Sequence, residues 1–187
     1  MRRLSGARRA FLRHHLQRGG LIAYPTESCY GLGCLPQHAP ALRRLIRLKK
    51  RPADKGLIVI LSQFNQLNNI VFRLPETQKK VLCERWNESS TTFLLPAHAN
   101  TLPCLRGVKH RTVGVRIPHH RGAKNLCRDL NHALVSSSAN RARKRPCKSE
   151  REVRRRFGKA VEIIGGRIGG YRQPSTIIDW KSGKVLR

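Results

Sequence analysis

Short apolar runs alternate with segments whose apolar residues recur at helical spacing along most of this 187-residue chain. Leu21-Ile22-Ala23-Tyr24 and Leu57-Ile58-Val59-Ile60-Leu61 are too short for helices and have the pattern of buried strands. Further strands are predicted at Thr92 to Pro96, Thr112 to Ile117, Ala133 to Ser137, Val161 to Ile164 and Thr176 to Trp180. Residues 7–18 suit a helix closed by Gly19-Gly20, and 39–50 carry Leu42, Leu45, Ile46 and Leu48 on one helical face. Helices are also predicted over 76–86, 121–130 and 149–157. Strands alternating with helices make this an α/β chain. There is no internal repeat and no break in composition, so 1–187 is expected to form a single domain with a substantial core.

Charge changes the picture. Lys and Arg number 39 against 10 acidic residues, a net charge of +29, so the surface must be strongly electropositive. Polyanions are natural partners for such a surface; a solvated basic shell with no specific partner is the open alternative. The six cysteines contain no CxxC pair, which argues against a zinc ribbon or a redox motif and for free thiols. The N-terminal stretch MRRLSGARRAFLRHHL is basic, but its apolar residues are interrupted at helical spacing, and no run in the chain reaches membrane-spanning length. The sequence reads as a soluble cytoplasmic protein, with a transit peptide left open by its basic start.

Four segments place polar residues where strands or helices end, the position at which open α/β sheets bind ligands. PTESCYGLG, 25–33, follows the first strand as a loop of hydroxyls and glycines. Lys49-Lys50-Arg51-Pro52-Ala53-Asp54-Lys55-Gly56 concentrates cations suited to a phosphate chain, although such a run is also ordinary surface in a basic protein. In Val113-Gly114-Val115-Arg116-Ile117-Pro118 one arginine interrupts an apolar strand and needs an anion, from the protein or from a substrate. Leu134-Val135-Ser136-Ser137-Ser138-Ala139-Asn140 dissolves an apolar strand into hydroxyls and an amide fit for phosphate oxygens or a hydrated metal.

The order PTE-x-x-YGLG, K-x-R-P-x-x-K-G-L, V-x-VRIP-x-H, S-x-SAN and PSTI-x-D, running from about Gly20 to Asp179, resembles the YrdC/TsaC family of threonylcarbamoyl-AMP synthases in its short bacterial form. The resemblance implies a twisted sheet with helices around an open, positively charged concave cavity. It also implies a reaction: L-threonine, bicarbonate and ATP give L-threonylcarbamoyl-AMP and pyrophosphate, a nucleotidyl transfer for the t6A37 modification of tRNA. TsaD, TsaB and TsaE-type proteins would act downstream. By the same resemblance Lys49 and Arg51 are the catalytic cations, and with Lys55, Ser138 and Asn140 they bind the nucleotide, accompanied by Mg²⁺. Thr26, Arg116 and Ser175 are then expected at the threonine site, with Arg116 clamping the amino acid's carboxylate, and no protein metal site is implied.

The chain departs from the family pattern in three places. The WPGP-x-T loop of many members reads Trp86-Asn87-Glu88-Ser89-Ser90-Thr91-Thr92, one residue longer and without proline or glycine. Arg141-Ala142-Arg143-Lys144-Arg145 stands where a Ser-Gly turn is usual. A histidine found in the strand after the KxR turn of longer relatives has no counterpart in Leu57-Ile58-Val59-Ile60. The competing reading is a non-catalytic basic module contacting tRNA or other RNA. It lacks a stacking platform, since only 5% of residues are aromatic and they are not interleaved with basic ones.

Overall fold

A computed structural model describes residues 4–52 and 54–187, without the Lys159 side chain. Met1–Arg3 of the basic N-terminal stretch and Ala53 of the KxR segment lie outside the described residues. The strands are β1 Ile22–Pro25, β2 Tyr30–Gly33, β3 Ile58–Ile60, β4 Thr91–Pro96, β5 Thr112–Arg116, β6 Leu134–Ser138, β7 Glu162–Ile163 and β8 Thr176–Asp179. They form one mixed sheet in the order β7-β1-β2-β6-β3-β5-β4-β8. The helices are α1 Gly6–Gln17, α2 Ala39–Lys49, α3 Glu76–Glu88, α4 Pro103–Arg106, α5 Arg121–Leu130 and α6 Glu150–Phe157.

The uninterrupted apolar runs follow from burial on both faces of the sheet. Successive side chains of a strand point to opposite sides. Ala23 of β1, Val59 of β3 and Val135 of β6 therefore join a core with α2, α3 and α6. Their neighbours Ile22, Tyr24, Ile60 and Leu134 pack with Leu12 and Leu16 of α1 and Leu126 and Leu130 of α5.

Most predicted elements match the observed ones to within a residue or two; the PTESCYGLG segment does not. It is a β-hairpin, with β1 and β2 paired antiparallel from Ile22↔Gly33 to Pro25↔Tyr30. Pro25 belongs to the strand as its last residue instead of ending it. Gly33 is required here because a Cβ would stand 2.3 Å from the Val135 carbonyl oxygen of the neighbouring strand. The predicted long loop at 86–92 is also corrected: α3 runs on to Glu88 and β4 begins at Thr91, leaving only Ser89 and Ser90 between them.

Candidate active site

Register brings the sequence segments together. Gly31 of the hairpin faces Ser138 of β6, and Leu32 faces Ser137. On the other edge of β6, Ser136 faces Ile58 of β3, which in turn pairs with Gly114 of β5. The tip of the hairpin, the hydroxyl end of β6 and the start of β3 thus share one end of the sheet. A cleft of about 150 Å³ opens there, with Thr26, Arg51, Arg116, Ser138 and Ser175 in its wall.

The two basic residues of the KxR motif point apart, and the backbone explains why. His38 Nδ1 caps α2 by accepting from the Ala41 amide, and the helix closes with Lys50 in the left-handed region at φ 50°. The Lys50 amide returns to the Arg47 carbonyl and the Arg51 amide to that of Ile46, each at 3.0 Å, a reversal of the Schellman type. Lys49, the last helical residue, stays inward, whereas Arg51 emerges after the reversal into the cleft. Arg51 is tethered through Nε to the Lys55 carbonyl at 3.3 Å and through Nη2 to that of Gly56 at 2.7 Å.

Lys49 is only 3% exposed. Its ammonium donates to the Ser138 carbonyl, to the Asn140 carbonyl at 2.8 Å and to Asn140 Oδ1 at 3.3 Å, which uses all three of its donors. Ser138 Oγ donates to the same Asn140 Oδ1 at 2.7 Å, and Asn140 Nδ2 donates to the Lys144 carbonyl. The KxR and SxN motifs are therefore one construction: the lysine organises the serine–asparagine turn. Burial first, and then the charge of Arg51, pull the Lys49 pKa down to about 8. Lys49, Asn140 and Lys55 are expected to contact the nucleotide together with Arg51 and Ser138. None of the three lines the cleft; the Lys55 side chain is exposed beside it.

Arg116 also meets a different partner from the expected one. Its Nη1 and Nη2 donate to Glu27 Oε1 and Oε2 at 2.7 and 2.9 Å, so a protein carboxylate, not a substrate's, takes the guanidinium's fork. Glu27 accepts further from the amides of His119, at 2.8 Å, and His120, at 3.3 Å, just before α5. Both partners are buried, Glu27 at 4% and Arg116 at 7% exposure. Burial alone would raise the Glu27 carboxyl, but the Arg116 charge and these hydrogen bonds outweigh it and hold the group below its ordinary range.

The remaining expected residues are in place with their hydroxyls engaged. Thr26 Oγ1 closes the hairpin tip by donating to the Cys29 carbonyl at 2.7 Å, and Ser175 Oγ lies 2.8 Å from Thr92 Oγ1. The strap 165–175 is laid across the tip by the Gly169 and Tyr171 amides, which bond the Thr26 and Glu27 carbonyls at 3.0 Å. Sequence reasoning missed Glu27, Ser90 and Arg187 as cavity residues. That Arg116 demands an anion was readable, but which carboxylate supplies it was not. Nothing in the sequence marks Arg187. All six cysteines are free; Cys29 stands in the cavity wall, its thiol pushed up by burial and so neutral.

Among the described residues no cluster of three or more His, Cys, Asp or Glu could hold a metal, and no helix is long and apolar enough to cross a membrane. The Sua5/YciO/YrdC family model, described as telomere recombination, matches residues 14–187. The chain is similar to a protein named threonylcarbamoyl-AMP synthase from Neisseria gonorrhoeae, 53% identical over 173 residues, covering 92% of this chain and 91% of that one. A protein of the same name from Laribacter hongkongensis is 48% identical over 186 residues, covering 100% and 99%. Among solved structures, P. abyssi Sua5 complexed with L-threonine superposes with a TM-score of 0.85 at 29% identity, covering all of this chain, which spans 55% of that one's length. E. coli YciO superposes at 0.77 with 24% identity over 96% of this chain and 87% of that one. By the extent of the family match and the identity to these relatives, the chain belongs to the Sua5/YciO/YrdC family.

Proposed function

We propose that this protein is a threonylcarbamoyl-AMP synthase, a nucleotidyltransferase that joins L-threonine, bicarbonate and ATP for the t6A37 modification of tRNA. The observation that supports it best is the cleft itself, where a hydroxyl-lined strand end, a tethered arginine and a buried ion pair converge. This arrangement offers charge and fixed hydrogen-bonding groups without a cavity carboxylate free to act as a strong base. It suits a reaction whose nucleophile is already an anion. Threonine and bicarbonate give a carbamate with loss of water. A carbamate oxygen then forms a bond to the α-phosphorus of ATP as the bridging P–O bond to the β-phosphate breaks, and pyrophosphate leaves with the electron pair.

Positioning and charge neutralisation supply the catalysis. Arg51 faces the phosphates, and its two carbonyl tethers fix the guanidinium before substrate arrives. Ser138 presents its hydroxyl from a turn that Lys49 and Asn140 hold still. Thr26, Ser175 and Arg116 face threonine, with Arg116 held in orientation by Glu27. Mg²⁺ enters as part of the MgATP substrate, liganded by phosphate oxygens and water. The intermediate would pass to TsaD, TsaB and TsaE-type proteins in the cytoplasm.

The test is pyrophosphate release measured with each substrate withheld in turn. Release is expected to require both L-threonine and bicarbonate. Serine is expected to leak through, because a pocket around a methyl group discriminates by only about 1–3 kcal/mol. Equal release without any amino acid would overturn the reading.

A further inference from the structure

The last residue of the VRIP-x-H segment, His120, touches three parts of the cleft's threonine side without a task in the proposed reaction. It is the N-cap of α5, where its Nδ1 accepts from the Ala123 amide at 3.1 Å. An accepting Nδ1 leaves the ring proton on Nε2, and Nε2 lies 3.0 Å from the Arg167 carbonyl of the strap 165–175, which can only accept. The two partners fix one neutral tautomer of the imidazole. On the main-chain side the His120 amide donates to Glu27 Oε1 at 3.3 Å, beside the His119 amide on the same oxygen at 2.8 Å. Glu27 is thereby held from two directions: its carboxylate by these amides and Arg116, its carbonyl by the Tyr171 amide of the strap.

The strap needs such a tether. Residues 165–167 and 169–174 are exposed, and Ile168 packs only partly against the core, so burial does little to hold the segment. Gly165, Gly166, Gly169 and Gly170 add to the cost, because glycine loses the most conformational freedom on being ordered. Gly169 lets the strap lie close to the hairpin: a Cβ there would stand 3.1 Å from the Cα and the carbonyl oxygen of Glu27. Among the described residues, two side chains hold the first half of the strap. Tyr30 donates its hydroxyl to the Gly166 carbonyl at 2.6 Å, and His120 takes the next carbonyl. The far end delivers Gln173, Pro174 and Ser175 to the cleft wall. Capping a helix needs only an acceptor, which Ser, Asn or Asp supplies. The N–H on the opposite side of the ring is what a histidine adds.

We propose that His120 is a positioning residue for the threonine side of the cleft, its imidazole tying the strap 165–175 over the hairpin tip so that Ser175 and the Glu27–Arg116 pair keep their places. The inference rests on the synthase reading above. Two conservative variants separate the ring's two contacts. His120→Asn keeps an acceptor for the Ala123 amide but is too short for the Arg167 carbonyl; His120→Gln carries an N–H with the reach of the imidazole Nε2 and gives up the cap. Backbone hydrogen exchange and steady-state pyrophosphate release are measured on both and on wild-type protein. In His120→Asn the Gly169 and Tyr171 amides are expected to exchange about fivefold faster and the threonine KM to rise about fivefold, the ratio for one neutral hydrogen bond, while kcat, the ATP KM and exchange at Ala123 stay within about twofold. His120→Gln is expected to keep strap exchange and threonine KM near wild type while the Ala123 amide exchanges faster. Wild-type strap exchange and threonine KM in folded His120→Asn would overturn the proposal, as would a threonine KM that rises in His120→Gln and not in His120→Asn, and either leaves the synthase reading standing. Pyrophosphate release by wild-type protein that does not depend on threonine would remove both.

Discussion

The cleft at the end of the sheet and the basic surface of residues 141–156 are joined at Asn140, yet they hold their cations in different ways. In the cleft, each arginine is fixed: Arg51 by the Lys55 and Gly56 carbonyls, Arg116 by Glu27, Arg187 by the Ser175 carbonyl. Along 141–145 the side chains are exposed, and apart from Arg145 the fixed groups are backbone ones, such as the Ala142 amide on the Lys49 carbonyl. Arg145 and Arg154 pair with Glu152 and Glu150 at the surface, where such pairs contribute little. A fixed cation needs no reorganisation when charge moves in a transition state; a solvated one does. Net charge therefore says little about where the chemistry is, and tethering says more.

Arg51→Ala breaks this contrast hardest. Losing one preorganised charge contact costs about 2.7–4 kcal/mol of transition-state stabilisation, so turnover is expected to fall roughly a hundredfold to a thousandfold with the fold intact. Steady-state pyrophosphate release checks this alongside circular dichroism. Glu27→Ala acts on stability instead. Leaving Arg116 buried without its carboxylate is expected to cost about 3–5 kcal/mol in urea unfolding, more than replacing both partners by apolar residues. Gly33→Ala should destabilise by about 1–3 kcal/mol, since the strand carrying Val135 cannot yield as a flexible side chain would.

Lys49 offers a pH signature of its buried position. Its folded pKa of about 8 lies below the ordinary 10.5, so between those values the unfolded chain binds more protons than the folded one. The contribution of this residue to stability must then rise with pH across that window. Urea unfolding from pH 8 upward is expected to show a rise in wild-type protein that Lys49→Met lacks; identical slopes would place the ammonium in water. The smallest effect is expected from neutralising Arg141, Arg143, Lys144 and Arg145 together. Each is a surface change within about 0.5 kcal/mol, so pyrophosphate release should stay near normal. Any RNA affinity should fall for unrelated sequences alike, with a flatter salt dependence.

Much of the fold was legible because strands buried on both faces leave unbroken apolar runs, as at Leu57–Leu61, and amphipathic helices leave a stripe, as in α2. The hairpin strand β2 was not, because Tyr-Gly-Leu-Gly contains the residues of a loop; Gly33 answers to the approach of Val135 from a neighbouring strand, which has no local trace. The cleft was legible as a set of segments but not as a set of contacts. Arg116 needed an anion, yet Glu27 lies 89 positions away, and only the pairing of distant strands selects it. Lys49 and Arg51 look equivalent in sequence, and the left-handed Lys50 between them sends one inward and the other to the cleft. Arg187 arrives by the return of a hairpin whose residues are otherwise ordinary.

If the fixed cations of the cleft, not the solvated ones beside it, join a threonine carbamate to AMP, the product and its dependence on single residues reveal it. Isotope-labelled bicarbonate supplied with L-threonine and ATP, followed by mass spectrometry of the nucleotide products, tests it most directly. An adenylate carrying the bicarbonate carbon and threonine is expected from wild-type protein and from the variant neutralised at 141, 143, 144 and 145, and is expected to be nearly absent with Arg51→Ala. A labelled product formed equally well by Arg51→Ala, or lost in the neutralised variant while it remains folded, would contradict it.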